Sequence, residues 1–164
     1  ELGPGWKPYE NTLMSLGDVN EDGNTDIGAV HSETGTLYIW NGKGGNKFGP
    51  ATAIGSGWTA FTRPIAGDFN GDGISDLIAV KKDSNTLHVW NGKGANNFTG
   101  AIELGPGWKP YENTLMSLGD VNEDGNTDIG AVHNETGTLY IWNGKGGNKF
   151  GPATAIGSGW SPYF

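Results

Sequence analysis

Asp18-Val19-Asn20-Glu21-Asp22-Gly23-Asn24-Thr25-Asp26, followed at once by Ile27-Gly28-Ala29-Val30-His31, is the stretch on which the reading of this chain turns. It returns as Asp68-Phe69-Asn70-Gly71-Asp72-Gly73-Ile74-Ser75-Asp76 before Leu77-Ile78-Ala79-Val80-Lys81. A third copy runs from Asp120 to Asp128 and leads into Ile129-Gly130-Ala131-Val132-His133. Working outward, Gly-Trp recurs at Trp6, Trp58, Trp108 and Trp160, in steps of 52, 50 and 52 residues. A second tryptophan series, Trp40, Trp90 and Trp142, keeps the same spacing. The chain is therefore three copies of a unit of 50 to 52 residues, and self-similarity at a fixed period marks a repeat architecture. Residues 1–58 and 103–160 match everywhere except Ser32 against Asn134, so the order is A-B-A with a diverged middle copy. Such identity means either a recent duplication or deliberate design.

Within a unit, apolar residues alternate in short bursts: Thr12–Leu16 before the acidic loop, Ile27–His31 after it, then Thr36–Trp40 and Phe48–Ile54. The run Asn41-Gly42-Lys43-Gly44-Gly45-Asn46 between the last two is turn chemistry, because Asn and Gly accept positive φ. Four short strands in about 50 residues, repeated in tandem, is the size of a propeller blade. The expectation is an all-β chain, a β-propeller segment with blades over about 7–56, 59–106 and 109–158 plus a short lead and tail. Known propellers have about four to eight blades, so three do not close a ring, and an open stack leaves apolar blade faces in water. A homodimer making six blades resolves this; an excised piece of a longer array is the alternative.

Composition agrees and excludes other classes. Thirty glycines and eight prolines in 164 residues, with 35% hydrophobic residues, rule against a helical bundle. There is no cysteine, hence no disulfide or thiolate chemistry, and no apolar run of membrane-spanning length, so no membrane insertion is expected. A net charge of −8 argues against nucleic acid as partner. Eleven of the eighteen acidic residues lie in the three acidic loops, so the charge has a local cause. Clustered carboxylates repel one another unless a cation sits among them.

Each loop places oxygen side chains at its first, third, fifth and ninth positions and glycine at its sixth. Hard cations take six to eight oxygens, and alternate residues on a tight loop aim theirs inward. The expected Ca²⁺ ligands are Asp18, Asn20, Asp22, the Asn24 carbonyl and Asp26 in the first copy. Asp68, Asn70, Asp72, Ile74 and Asp76 correspond in the second, and Asp120, Asn122, Asp124, Asn126 and Asp128 in the third: one ion per blade, three per chain. The spacing begins like an EF-hand loop, but the twelfth position is Ala29, Ala79 or Ala131 and strand-like sequence replaces the flanking helices. The competing reading is an Asp/Asn turn that bonds its own backbone without metal.

The loop and the apolar strand after it resemble the FG-GAP/VCBS repeat of integrin α-subunit propellers, over essentially the whole chain. With Gly-Trp before the first strand and Leu-x-x-Trp-Asn-Gly in the third, the chain also resembles fungal propeller lectins of the Psathyrella velutina type and propeller modules of secreted bacterial hydrolases. The resemblance implies six or seven blades, structural Ca²⁺ and pockets for N-acetylglucosamine-like sugars near blade junctions. An integrin-like adhesion module and a ligand-free structural propeller are the competing functions.

Catalysis is not expected. Of His31, His88 and His133, the first and third are one position repeated, and nothing breaks the repeat to build an asymmetric catalytic group. Binding is. Flat rings stack on the apolar face of a sugar while nearby donors and acceptors fix its hydroxyls. Trp6, Trp58, Trp108 and Trp160, with Tyr9, Phe61 and Tyr111 three residues on, are the candidate rings; the tryptophans either stack on sugar or pack between blades as spacers. Trp40, Trp90 and Trp142 read as core. His31, Lys81 and His133 end the second strand of each unit and are candidate ligand donors. Repeated weak pockets give avidity. Asn97-Phe98-Thr99 and Asn134-Glu135-Thr136 match the glycosylation pattern and, with the Ca²⁺ loops, favour a secreted, extracellular setting.

Overall fold

The structure, a computed structural model, describes residues 5–163. Twelve strands form three separate four-stranded antiparallel sheets, each in simple sequential order. The first blade holds β1 (Met14–Gly17), β2 (Asp26–Val30), β3 (Leu37–Gly42) and β4 (Phe48–Gly55). The second holds β5 (Ile65–Gly67), β6 (Asp76–Lys81), β7 (Thr86–Trp90) and β8 (Ile102–Gly105). The third holds β9 (Met116–Gly119), β10 (Asp128–Val132), β11 (Leu139–Gly144) and β12 (Phe150–Gly157). The innermost strands β1, β5 and β9 lie side by side, so the sheets fan out around them as consecutive propeller blades. No helix among the described residues is long and apolar enough to cross a membrane.

Two-residue alternation gives each sheet two apolar faces, and neighbouring blades bury them against each other. Between blades one and two, Met14, Leu16, Val19, Leu37 and Ile39 meet Trp58, Leu77, Ala79 and Trp90. Between blades two and three, Ile65, Phe69, Leu87 and Val89 meet Ile129, Ala131, Trp108 and Trp142. Each fully buried aliphatic side chain here contributes about 1.5–3 kcal/mol.

The 50- and 52-residue steps have a physical origin in the lead to the innermost strand. The hydroxyls of Thr12, Thr62 and Thr114 accept from the amides of Val30, Val80 and Val132, at 2.9, 3.1 and 2.9 Å. Phe61 directly precedes Thr62, whereas Glu10-Asn11 separates Tyr9 from Thr12. The middle copy is shortened by those two residues while the anchoring threonine is kept. Its outermost strand is also shorter than the expected pattern. Thr99 accepts from the Asn91 amide through its Oγ1 at 2.9 Å and donates its own amide to the Asn91 carbonyl at 2.8 Å, in place of regular ladder pairing.

Candidate functional site

The acidic loops sit between the first two strands of each blade. Gly23, Gly73 and Gly125 have φ of +85°, +86° and +87°, the left-handed turn expected at the sixth position. A second left-handed residue, two positions earlier, is Glu21, Gly71 or Glu123, which residue type alone did not signal. The first carboxylate folds over the turn: Asp18 accepts from the amides of Asp22 (3.0 Å) and Gly23 (2.7 Å). Asp22 in turn accepts from the Asn24 amide at 3.0 Å, and from the Asn20 side chain at 3.0 Å. Amide bonds from Asn24 and Asn20 hold the Asp22 carboxyl below the usual range, and the Asn126 and Asn122 amides do the same at Asp124.

The ninth-position aspartate has a separate structural task. Asp26 is fully buried and accepts from Val19 N at 3.0 Å and Gly42 N at 2.8 Å, tying the loop to β2 and β3. Asp76 repeats this with Phe69, Asn70 and Gly92, and Asp128 with Val121 and Gly144. Burial pushes the Asp76 carboxyl up to about 6 against the pull of those three amides. Glycine is required opposite: a Cβ on Gly42, Gly92 or Gly144 would run into the carbonyl oxygen of Thr25, Ser75 or Thr127.

The donor set of each loop, carboxylate, amide and carbonyl oxygen throughout, suits a hard cation such as Ca²⁺. Each carboxylate oxygen that accepts an amide proton keeps a second lone pair for such an ion. Among the described residues, however, no three His, Asp or Glu side chains converge on a single point. The carboxylates are turned toward backbone amides, and among the described residues the cations near them are Lys43 at 3.8 Å from Asp22 and Lys145 at 3.8 Å from Asp124.

Three of the four Gly-Trp tryptophans do not stand free. Trp58 is 9% exposed and its ring lies 4.5 Å from Trp90; Trp108 lies 4.9 Å from Trp142, and Trp6 lies 4.8 Å from Trp40. Tyr9 meets His31 edge-on at 5.2 Å, Tyr111 meets His133 at 5.3 Å and Phe61 meets His88 at 5.5 Å. Each blade thus gathers one aromatic cluster from its lead and its middle strands. Among the described rings, Trp160 has only Tyr163 beside it, 6.1 Å away, and is 38% exposed. Lys81 is drawn to Asp83 at 3.3 Å. His88 hydrogen-bonds Thr86 at 2.8 Å in the blade interior.

Two open clefts flank Trp58, the first at the junction of blades one and two and the second reaching the lead of blade three. One, of about 450 Å³, runs between β4 and the turn after β7, over Trp58, Trp90, Thr52, Asn96 and Phe98. The other, of about 640 Å³, sets Trp58 and Phe61 beside Thr12, Arg63, Lys82 and Glu112. In it, Lys82 replaces the expected Lys81, and His31 does not line it. Arg63 and Lys82 belong to no repeating motif, and Glu112, which repeats Glu10, lies outside the acidic and tryptophan motifs; Arg63 is the only arginine, and that singularity was the available signal.

Comparison with known proteins agrees with this geometry. An FG-GAP-like repeat matches residues 18–79 and again 68–131. Among curated proteins nothing matches. Among solved structures, the chain is similar to one titled for specific recognition of non-reducing terminal N-acetylglucosamine by an Agrocybe aegerita lectin. The similarity has a TM-score of 0.66 at 18% identity, over 93% of this chain and 40% of that one, so this chain spans well under half of that lectin. Each match runs from the acidic loop of one blade into the second strand of the next, and the chain belongs to the FG-GAP-like repeat family.

Proposed function

We propose that this chain is a secreted, non-catalytic carbohydrate-binding module that takes N-acetylglucosamine-like sugars at the cleft beside Trp58, where the leads of its three blades meet. The observation that carries the reading is the polar and aromatic make-up of that cleft: Trp58 and Phe61 offer apolar ring edges, while Arg63, Lys82 and Glu112 stand around them. Apolar C–H faces of a sugar pack on rings, and its hydroxyls bond charged donors and acceptors at the rim. The Agrocybe lectin's title supports the sugar class. Ca²⁺, held in each loop by residues such as Asp18, Asn20, Asp22, the Asn24 carbonyl and Asp26, would supply charge neutralisation between the first two strands. Self-association into a six-bladed homodimer completes the proposal.

Retention on immobilised N-acetylglucosamine, reversed by the free sugar, tests it. Arg63 and Lys82 are exposed, so Arg63→Ala and Lys82→Ala leave folding intact and weaken retention about tenfold or more for each lost charged hydrogen bond. Unchanged retention in both variants would move the site elsewhere. Binding to protein partners and to no sugar would make this an adhesion module instead.

A further inference from the structure

The identity of the two outer copies turns the structure into a comparison of the same residues with and without a neighbour. Val19 is 1% exposed under blade two, whereas Val121, its counterpart on blade three, is 51% exposed. Leu16, Leu37 and Ile39 are 0% exposed, and their counterparts Leu118, Leu139 and Ile141 are half-buried. On the opposite side the asymmetry reverses. Leu115 is 4% exposed and Ile129 0% where blade three meets blade two, but Leu13 is 46% exposed and Ile27 half-buried on blade one. Beside Leu13, the rings of Trp6 and Tyr9 frame an apolar hollow of about 320 Å³.

The open face of blade three is therefore, residue for residue, the face blade one buries. The open face of blade one is the face blade three buries. The polar seams repeat as well. At the internal junctions the Gly-rich turn of one blade donates to the acidic loop of the blade before it: Asn96 N to Val19 O at 3.1 Å, Asn148 N to Phe69 O at 3.0 Å and Gly147 N to Asn70 O at 2.8 Å. The same groups stand exposed at the two ends, Gly45 and Asn46 on blade one, Val121 and Asn122 on blade three.

We infer that a second copy of this chain docks head-to-tail, the Trp6–Leu13–Ile27 face of each copy seating on the Leu118–Val121–Ile141 face of the other, so that two identical junctions close a six-bladed ring. This rests only on the self-association in the proposed function and not on the sugar. Each half of the new junction already has its equivalent inside the chain: Ile27 stands where Ile129 does and Tyr9 where Tyr111 does, both packed against blade two. The asparagine turn of one copy, Asn46, donates to the Val121 carbonyl of the other. The contact is heterologous, two different faces meeting, and it stops at two copies only because the rotation closes.

Light scattering on the full chain, with and without free N-acetylglucosamine, tests the inference separately from sugar binding. The wild type is expected at about twice 17.3 kDa. Val121→Arg and Ile27→Arg, one on each open face, each shift the mass to that of a single chain with circular dichroism unchanged. Mixing the two variants restores a species of twice the mass, because one junction in the mixed pair keeps both wild-type faces. A single-chain mass for folded wild type, a mass that climbs with concentration beyond two copies, or a dimer indifferent to both substitutions would each overturn it. Failure of sugar retention leaves these masses unchanged.

Discussion

The ring centroids of Trp58 and Trp90 lie 4.5 Å apart at a tilt of 38°, inside the apolar layer between blades one and two. The loop tryptophan thus packs between the blades, and the same ring also lines the cleft. Trp58→Ala is expected to cost about 3–5 kcal/mol of stability, the range for emptying a packed aromatic site. Urea unfolding followed by circular dichroism checks this. A loss below about 1 kcal/mol would mean the ring is not part of the core.

Leu13 and Leu115 make a matched pair, one 46% and the other 4% exposed. In a dilute, single-chain sample, Leu115→Ala should cost about 2–4 kcal/mol and Leu13→Ala less than about 0.5 kcal/mol. At concentrations where two copies pair, the cost of Leu13→Ala should rise toward that of Leu115→Ala. Equal costs at every concentration would contradict the burial difference.

Removing the Asp26 carboxylate strands two buried amides, Val19 N and Gly42 N. An unsatisfied buried donor costs about 1–3 kcal/mol, so Asp26→Ala should lose roughly 2–5 kcal/mol. The loss should persist in excess chelator, because the bonds are to backbone and involve no ion. Asp18→Ala, whose partners are exposed loop amides, should cost far less under the same conditions. Chelator melts that erase the Asp26→Ala penalty would assign that carboxylate to metal alone.

Gly92 faces the Ser75 carbonyl so closely that any Cβ would collide with backbone. Gly92→Ala should therefore cost about 1–3 kcal/mol, the usual penalty of forcing an extra carbon into a packed site. Gly100→Ala, with nothing near its Cβ position, is the control and should be close to neutral. Thermal melts of the two variants side by side decide it.

The sequence carried the architecture because the repeat displays it three times: strand bursts at fixed offsets from an acidic loop define the blade, and they fall where β1 to β12 lie. Gly23 and its equivalents were legible because only a left-handed turn explains glycine inside an aspartate-rich loop. Two things were not legible. The ninth-position aspartate reads as a ligand in sequence; its further role as a buried backbone acceptor did not show there, because its partner Gly42 lies 16 residues away, a relation that exists only after β3 has paired with β2. The polar lining of the cleft was equally hidden. Thr12, Arg63 and Glu112 come from the leads of three successive blades, and only the fan of innermost strands brings them together.

Calcium provides the last test, and its sign follows from charge. Asp18 and Asp22 crowd into one turn of five residues, with Lys43 no closer than 3.8 Å to relieve them. A divalent ion bound to the folded loops but not to the unfolded chain stabilises the fold by mass action, about 2.7 kcal/mol per site at a free concentration a hundredfold above Kd. For a chain of this size that amounts to roughly 5–10 °C in Tm for each site. Melts in excess Ca²⁺ should therefore lie well above melts in chelator, with Mg²⁺ giving a smaller rise because it keeps its waters. Replacing Asp22 and Asp124 together by Asn should shrink the Ca²⁺ increment while leaving the chelator melt close to wild type, since both carboxylates are exposed. Coincident melts with Ca²⁺ and with chelator would show that the loops are held by their own backbone bonds, and the cation would drop out of the proposed function.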